Sequence, residues 1–228
     1  MPGQARFAAT QQTTGAEMGF MARMGIFCIG VLAGACHAGA DFAGEPASPA
    51  ARSQADWVLS QRDHQGRPFA IVDKRDARLY VFAGSGRLLG AAAALLGFAP
   101  GDHAVPGVGQ RAPSEILPFE RTTPAGRFAS EPGRNLQGEA VVWFDYEAGL
   151  AIHRLRPAAA SERRLQRLRS DTPDDNRISL GCVVVAVDFY ETVVGPVLGR
   201  QRGIVYVLPE NRAALLAGGA LEEAAPAH

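Results

Sequence analysis

A mostly β domain, a mixed sheet or flattened sandwich with two short helices, is the fold class this sequence predicts. Three observations point there. The composition, 47% hydrophobic and 20% charged, is that of an ordinary globular chain. Its aliphatic residues fall into short runs separated by polar, Gly- or Pro-containing breaks, which is the punctuation of strands. Residues 161–169 and 186–198 carry apolar residues at helical spacing and account for the two helices.

The amino end reads as a targeting segment. Arg23 precedes the apolar run 24–35, and Ala38-Gly39-Ala40 supplies small residues for cleavage. The run is shorter than the roughly 20 residues a bilayer span needs. A signal peptide over 1–40 is therefore expected, and with it export to the periplasm or cell envelope. The long, weakly basic lead before it fits a natural start at Met18, Met21 or Met24. Lipidation of Cys36 is the rival reading, against which stands Ala33, where such signals carry a larger aliphatic residue. Residues 41–56, rich in Ala, Pro and Ser, are expected to be a flexible lead-in. One domain is expected over 57–212 and a peripheral flexible tail over 213–228.

Within that domain Phe69–Asp73 and Arg78–Phe82 read as a hairpin across Lys74–Ala77. Arg87–Leu96 is a third strand; Ala91–Ala94 could be helical on propensity, but the flanking turn signals favour extension. Gly97–Pro118 is a long irregular loop holding His103, and Thr123-Pro124-Ala125-Gly126 is a tight turn. Ala140–Asp145 and Leu150–His153 form another hairpin, with His153 near a strand end. Ser161–Arg169 is expected to be a short basic helix capped by Ser161, with Leu165 and Leu168 on one face. A helix over 186–198 turns Phe189, Val193, Val194 and Val197 inward, and Gly203–Leu208 is a final buried strand. His64 is expected at the surface, and Trp57 and Trp143 in the core.

Charge and cysteine count narrow the function. With 23 basic and 23 acidic residues the formal charge is zero, which argues against a nucleic-acid partner. Of three cysteines, Cys28 and Cys36 lie in or beside the export segment, so Cys182 alone remains in the domain. An internal disulfide is excluded, and zinc is disfavoured because no second cysteine or close His pair accompanies it. Cys182 is then an intermolecular half-cystine, an inert buried thiol or a nucleophile. Gly181 before it allows a sharp turn in which successive amides converge beside the sulfur, as an oxyanion requires. Among the imidazoles, His153 is the best placed to be a rigid base. The local chemistry leaves the inert and the nucleophilic readings open.

The ordered set His153, then Ser179-Leu180-Gly181-Cys182-Val183-Val184, resembles the motif of the L,D-transpeptidase catalytic domain, the YkuD-type fold. The resemblance spans about residues 66 to 209 and includes the 71–82 hairpin, the Thr123–Phe128 turn and the closing strand through Pro209. It implies Cys182 as nucleophile, His153 as base, Ser179 and Gly181 as parts of the motif, and an oxyanion hole from the amides of Leu180, Gly181 and Cys182. It implies action on peptidoglycan stem peptides through a thioester, with no metal or organic cofactor. An amine acceptor gives a crosslink, whereas water gives a carboxypeptidase. A non-catalytic envelope-binding module on the same fold is the alternative. Arg177 and His103 are candidates for substrate contact, Arg177 through its fork-shaped guanidinium, with an ion pair to Asp174 or Asp175 as its competing role. Three departures stand out: Leu180 replaces the usual His but keeps its amide, Arg154 replaces Gly or Ser after His153, and Val184 replaces a polar Asn or Arg. The spacer between His153 and Ser179 is longer than the pattern and is expected to form a cap near the cleft.

Overall fold

The computed structural model describes residues 39–211 and Leu221. The expected signal run, and the tail apart from Leu221, lie outside the described residues. Among the described residues are nine strands: β1 Phe69–Asp73, β2 Arg78–Phe82, β3 Leu88–Gly97, β4 Gly126–Arg134, β5 Ala140–Asp145, β6 Leu150–Arg154, β7 Arg177–Ser179, β8 Val183–Val185 and β9 Gly203–Val207. Their order is β2-β1-β9-β4-β5-β6-β8-β3-β7, and a further β2–β3 pairing closes the ring.

Two long strands turn this ring into a sandwich. β3 pairs with β2 through Leu88–Ala93 and with β8 through Ala94 and Leu95. β4 pairs with β9 through Gly126–Ser130 and with β5 through Glu131–Arg134. Each therefore belongs to both layers. Between the layers lies a core that includes Val72, Leu79, Leu96, Phe128, Phe144, Ile152, Val183 and Val205. The strand reading of Ala91–Ala94 holds because β3 has partners along its length. β4 escaped the sequence reading because its second half, Glu131-Pro132-Gly133-Arg134, is polar or exposed and breaks the apolar alternation.

The expected flexible lead-in is corrected. Pro49–Gln61 is a helix, α1, whose Ser48 side chain accepts the Ala51 N–H at 3.0 Å, with Pro49 in the first turn where its missing N–H costs nothing. Ala51, Ala55 and Val58 bury against the outer face of β1, β2 and β9, together with Phe42, Phe69, Ile71, Tyr80, Phe82 and Tyr206. These strands are apolar on both faces because both faces are covered. His64 is likewise not at the surface: it is buried, with Nε2 3.0 Å from Gly84 O and Nδ1 3.4 Å from Val58 O.

The helical stretch over 187–197 forms with a wide π turn at Tyr190–Val194 just before Pro196. It buries Tyr190, Val194 and Leu198 in the inter-layer core, with Phe189, Val193 and Val197 partly buried against it. The expected helix at 161–169 is shorter: a 3-10 turn Ala160–Glu162 precedes α2, Arg164–Leu168. Ser161 does not cap it; the residue before the helix is Arg163, held at φ +46°. Leu165 is 47% exposed, so α2 buries little apolar surface of its own. Trp57 packs partly buried against the outer core, and Trp143 lies over Gly133, edge-on to Tyr146 at 5.2 Å. Among the described residues no helix is long and apolar enough to cross a membrane.

Candidate active site

Cys182 stands one residue before β8, and β8 runs parallel beside β6. The register pairs Ile152 with Val183 and His153 with Val184. Ile152 and Val183 point into the core, so by strand alternation His153 and Val184 fall on the opposite face, while Cys182, in the turn before β8, packs partly buried against the inter-layer core. The two residues singled out from the sequence thus lie on β6 and in the turn that enters its parallel neighbour β8. They are not hydrogen-bonded to each other: the thiol lies 3.8 Å from Gly149 O, and His153 Nδ1 lies 2.8 Å from Arg154 O.

The turn before Cys182 is held by side chains. Ser179 Oγ donates to Cys182 O at 2.6 Å and accepts the Gly181 N–H at 3.0 Å. Ser179 is therefore the loop-fixing hydroxyl. It also engages the Gly181 amide, which removes that N–H from the expected oxyanion set. Gly181 has φ +132°, and a Cβ there would meet Thr122 O at 2.6 Å and Leu150 at 2.8 Å, so only glycine fits. Thr123 completes the clamp: its Oγ1 donates to Gly181 O at 2.8 Å and accepts the Gly97 N–H at 2.9 Å. The Thr123–Gly126 turn was visible in the sequence, but this bridge was not.

Behind the clamp is a buried ionic cluster that sequence reasoning missed. Lys74, with no side-chain exposure, contacts Asp102 at 2.7 Å, Thr123 O at 3.0 Å and Glu210 at 3.6 Å. Burial lowers its pKa, while Asp102 and Glu210 oppose the shift. Arg177 belongs to this cluster. Its guanidinium meets Glu210 at 2.9 Å and Lys74 O at 3.4 Å. That engages the fork expected to meet a substrate carboxylate, and the partner is Glu210, not Asp174 or Asp175. His103 is exposed on the long loop, next to Asp102, whose carboxyl burial would push up but the Lys74 ammonium and the Glu210 N–H hold below the usual carboxylate range.

The electrostatics of the pair follow from burial. His153 is 8% exposed, and burial, aided by the charges of Arg156 and Arg164, lowers its pKa to about 4 against the pull of the Arg154 carbonyl and Glu139. A carbonyl only accepts, so Nδ1 carries the proton and Nε2 is the basic nitrogen. Burial pushes the Cys182 thiol up, opposed by the Ala151 N–H and by Arg156. Val184, fully buried opposite His153, is part of the apolar surroundings where the motif has a polar residue. At rest the pair is a thiol and a neutral imidazole.

The long spacer places positive charge beside them. Leu155 N–H bonds Val185 O at 2.7 Å and so extends the β6–β8 pairing by one step. From there 155–166 bounds an open surface pocket of about 280 Å³ lined by Arg156, Arg163, Arg164 and Gln166 with Leu155, Leu165 and alanines.

No protein-family model matches the chain, and no curated protein matches it. Solved structures do. The helical cell shape determining protein Pgp2 from Campylobacter jejuni is 16% identical, with TM-score 0.41 over 70% of this chain and 56% of that one. An L,D-transpeptidase (residues 123–326) from Xylanimonas cellulosilytica is 16% identical, with TM-score 0.39 over 62% and 60%. An L,D-transpeptidase from Mycobacterium smegmatis is 14% identical, with TM-score 0.36 over 62% and 58%. The chain spans less than two thirds of the length of each of these solved chains.

Proposed function

We propose that the domain is a cysteine-dependent L,D-transpeptidase acting on peptidoglycan stem peptides. The observation that carries this reading is the placement of His153 on β6 beside the turn that leads Cys182 into the parallel strand β8, with the Ser179–Cys182 turn clamped by Ser179 and Thr123. The ordered motif resemblance supplies the substrate class. In the reaction, His153 Nε2 takes the thiol proton as Cys182 Sγ bonds to the stem-peptide carbonyl. Collapse of the tetrahedral intermediate breaks the C–N bond, and the same proton passes to the leaving amine, which leaves a thioester. With the Gly181 amide engaged by Ser179, the amides of Leu180 and Cys182 are the proposed oxyanion donors. An acceptor amine then attacks to form a crosslink, or water attacks to release the shortened peptide. The signal peptide over 1–40 and the periplasmic or envelope location belong to the same proposal.

The second reading, a binding module that has lost the chemistry, draws on the neutral resting pair and on Val184. Incubation with purified muropeptides separates the two. The enzyme reading expects a thioester adduct on Cys182 by mass spectrometry and a crosslinked or shortened product, both lost in Cys182→Ala. Absence of adduct and product with every acceptor, beside retained muropeptide binding, establishes the binding module instead.

A further inference from the structure

Lys74 carries a charge where no substrate can reach it. It follows β1 directly, and its side chain has no exposure. A lysine ammonium has three N–H donors, and here all three are engaged: by Gly101 O, by Asp102 Oδ1 at 2.7 Å and by Thr123 O at 3.0 Å. Two carboxylates, Asp102 and Glu210, face two cations, Lys74 and Arg177, so the cluster is balanced within itself. Replacing a buried ion pair by apolar residues of similar volume is often neutral or stabilising, so stability alone does not account for the ammonium. What it supplies is direction, and both flanks of the reactive turn receive it. On one flank Nζ holds Thr123 O, while Thr123 Oγ1 donates to Gly181 O at 2.8 Å. On the other, the Lys74 carbonyl accepts from Arg177, the residue that opens β7 and leads to Ser179.

We propose that Lys74 is a positioning residue for the reaction at Cys182: its ammonium fixes the Thr123 main chain, Thr123 Oγ1 fixes the Gly181 carbonyl, and the turn thereby presents the thiol to the acyl donor. With its donors engaged by Gly101, Asp102 and Thr123, Lys74 acts on the turn only through other residues. Thr123 is the main route, because two bonds act there in series. The Arg177 contact, at 3.4 Å, is the weaker one. Asp102 and Glu210 keep the ammonium charged and oriented against the effect of burial. The importance of this placement to catalysis rests on the reading of Cys182 as the reacting thiol.

A double-mutant cycle tests the route. Two observables are followed in the intact protein. One is hydrogen exchange of the Gly181 amide, which donates to Ser179 Oγ within the turn; the other is thioester formation on Cys182 with purified muropeptides. Lys74→Met keeps the reach of the side chain and removes the ammonium. Lys74→Met/Asp102→Asn also removes the carboxylate left without its cation and guards against misfolding. Both should speed Gly181 exchange about tenfold relative to the amides of β5, as the loss of one hydrogen bond does. Both should slow acylation at saturation by about the same factor, with the muropeptide concentration at half-saturation unchanged. In a Thr123→Val background the same change at Lys74 should add no more than about twofold to either, because the link is already cut. A residue that only stabilises the fold would speed exchange in β5 as much as at Gly181, and its effect would add to that of Thr123→Val. Either result, or Gly181 exchange unchanged in a folded Lys74 variant, overturns the positioning role. Failure of both Lys74 variants to fold assigns the residue to stability and overturns it too. Absence of a thioester in the native protein overturns the transpeptidase reading alone, and the exchange cycle then decides by itself whether Lys74 sets the turn.

Discussion

An imidazole beside a thiol can offer either nitrogen, and at His153 the Arg154 carbonyl selects Nε2 as the base. The same burial that fixes the ring lowers its pKa to about 4. An imidazole with a depressed folded pKa stabilises the fold fully above its ordinary value of 6.5 and loses that contribution as the pH falls towards 4, because the unfolded chain takes up the proton first. The upper bound is about 3 kcal/mol. Urea titrations at pH 7 and pH 4.5 should therefore show a larger acid loss in the native protein than in His153→Gln; equal losses would refute the buried neutral imidazole. The raised thiol predicts a complementary kinetic signature. The pH profile of Cys182 alkylation should have its inflection above that of a free cysteine, and Arg156→Gln should move it higher. At this scale the sequence was informative where contacts are local in order: the turn of Ser179, Gly181 and Cys182 was legible. Arg156, Arg163 and Arg164 were not, because nothing in a stretch of arginines says which strand it will face.

Elements rank the supports of the reactive turn. Gly181 and Thr123 come from segments distant in sequence, and each closes the same clamp. A β-carbon at Gly181 meets backbone at 2.6 Å in a conformation that non-glycine residues avoid, so Gly181→Ala must displace the turn. Thr123→Val keeps the volume but leaves the Gly97 N–H and the Gly181 carbonyl without their buried partner, a loss of about 1–3 kcal/mol. Both variants should slow Cys182 acylation. Thr123→Val should do so with the thermal transition still cooperative, and an unchanged rate would mean the clamp plays no part in positioning the thiol. Strand boundaries were legible to within a residue at β1, β2 and β5, where apolar runs end in turn residues. α1 was not, since its Ala-, Pro- and Ser-rich composition imitates a linker. Its signals were present in Ser48-Pro49 and in the spacing of Ala51, Ala55 and Val58, but alanine makes a weak apolar stripe.

For the whole molecule, α1 changes where the domain begins. The family-like portion, about 66 to 209, contains the strands and the reactive turn, which suggests a sufficient unit. The outer face of β1, β2 and β9 argues otherwise. Phe69, Ile71, Tyr80, Phe82, Ile204 and Tyr206 are each at most 1% exposed because Phe42 and α1 cover them. Removing the cover would expose a contiguous apolar face of the kind that drives association. Polar ties cross the same boundary: Ser48 Oγ donates to Asp73 at 2.5 Å, Tyr80 Oη donates to Pro46 O at 2.8 Å, and Arg78 meets Glu45 at 3.0 Å. The segment 42–61 is accordingly a structural half of the outer core. A fragment of residues 66–211 should aggregate or melt without a cooperative transition, whereas 39–211 should remain monomeric and melt cooperatively. Light scattering and calorimetry on the two decide it. A soluble 66–211 fragment with the transition of the longer chain would show that α1 only rests on a sheet stable without it. A 66–211 fragment rescued by a separate peptide covering 39–61 would instead demonstrate that the lost term is this packing.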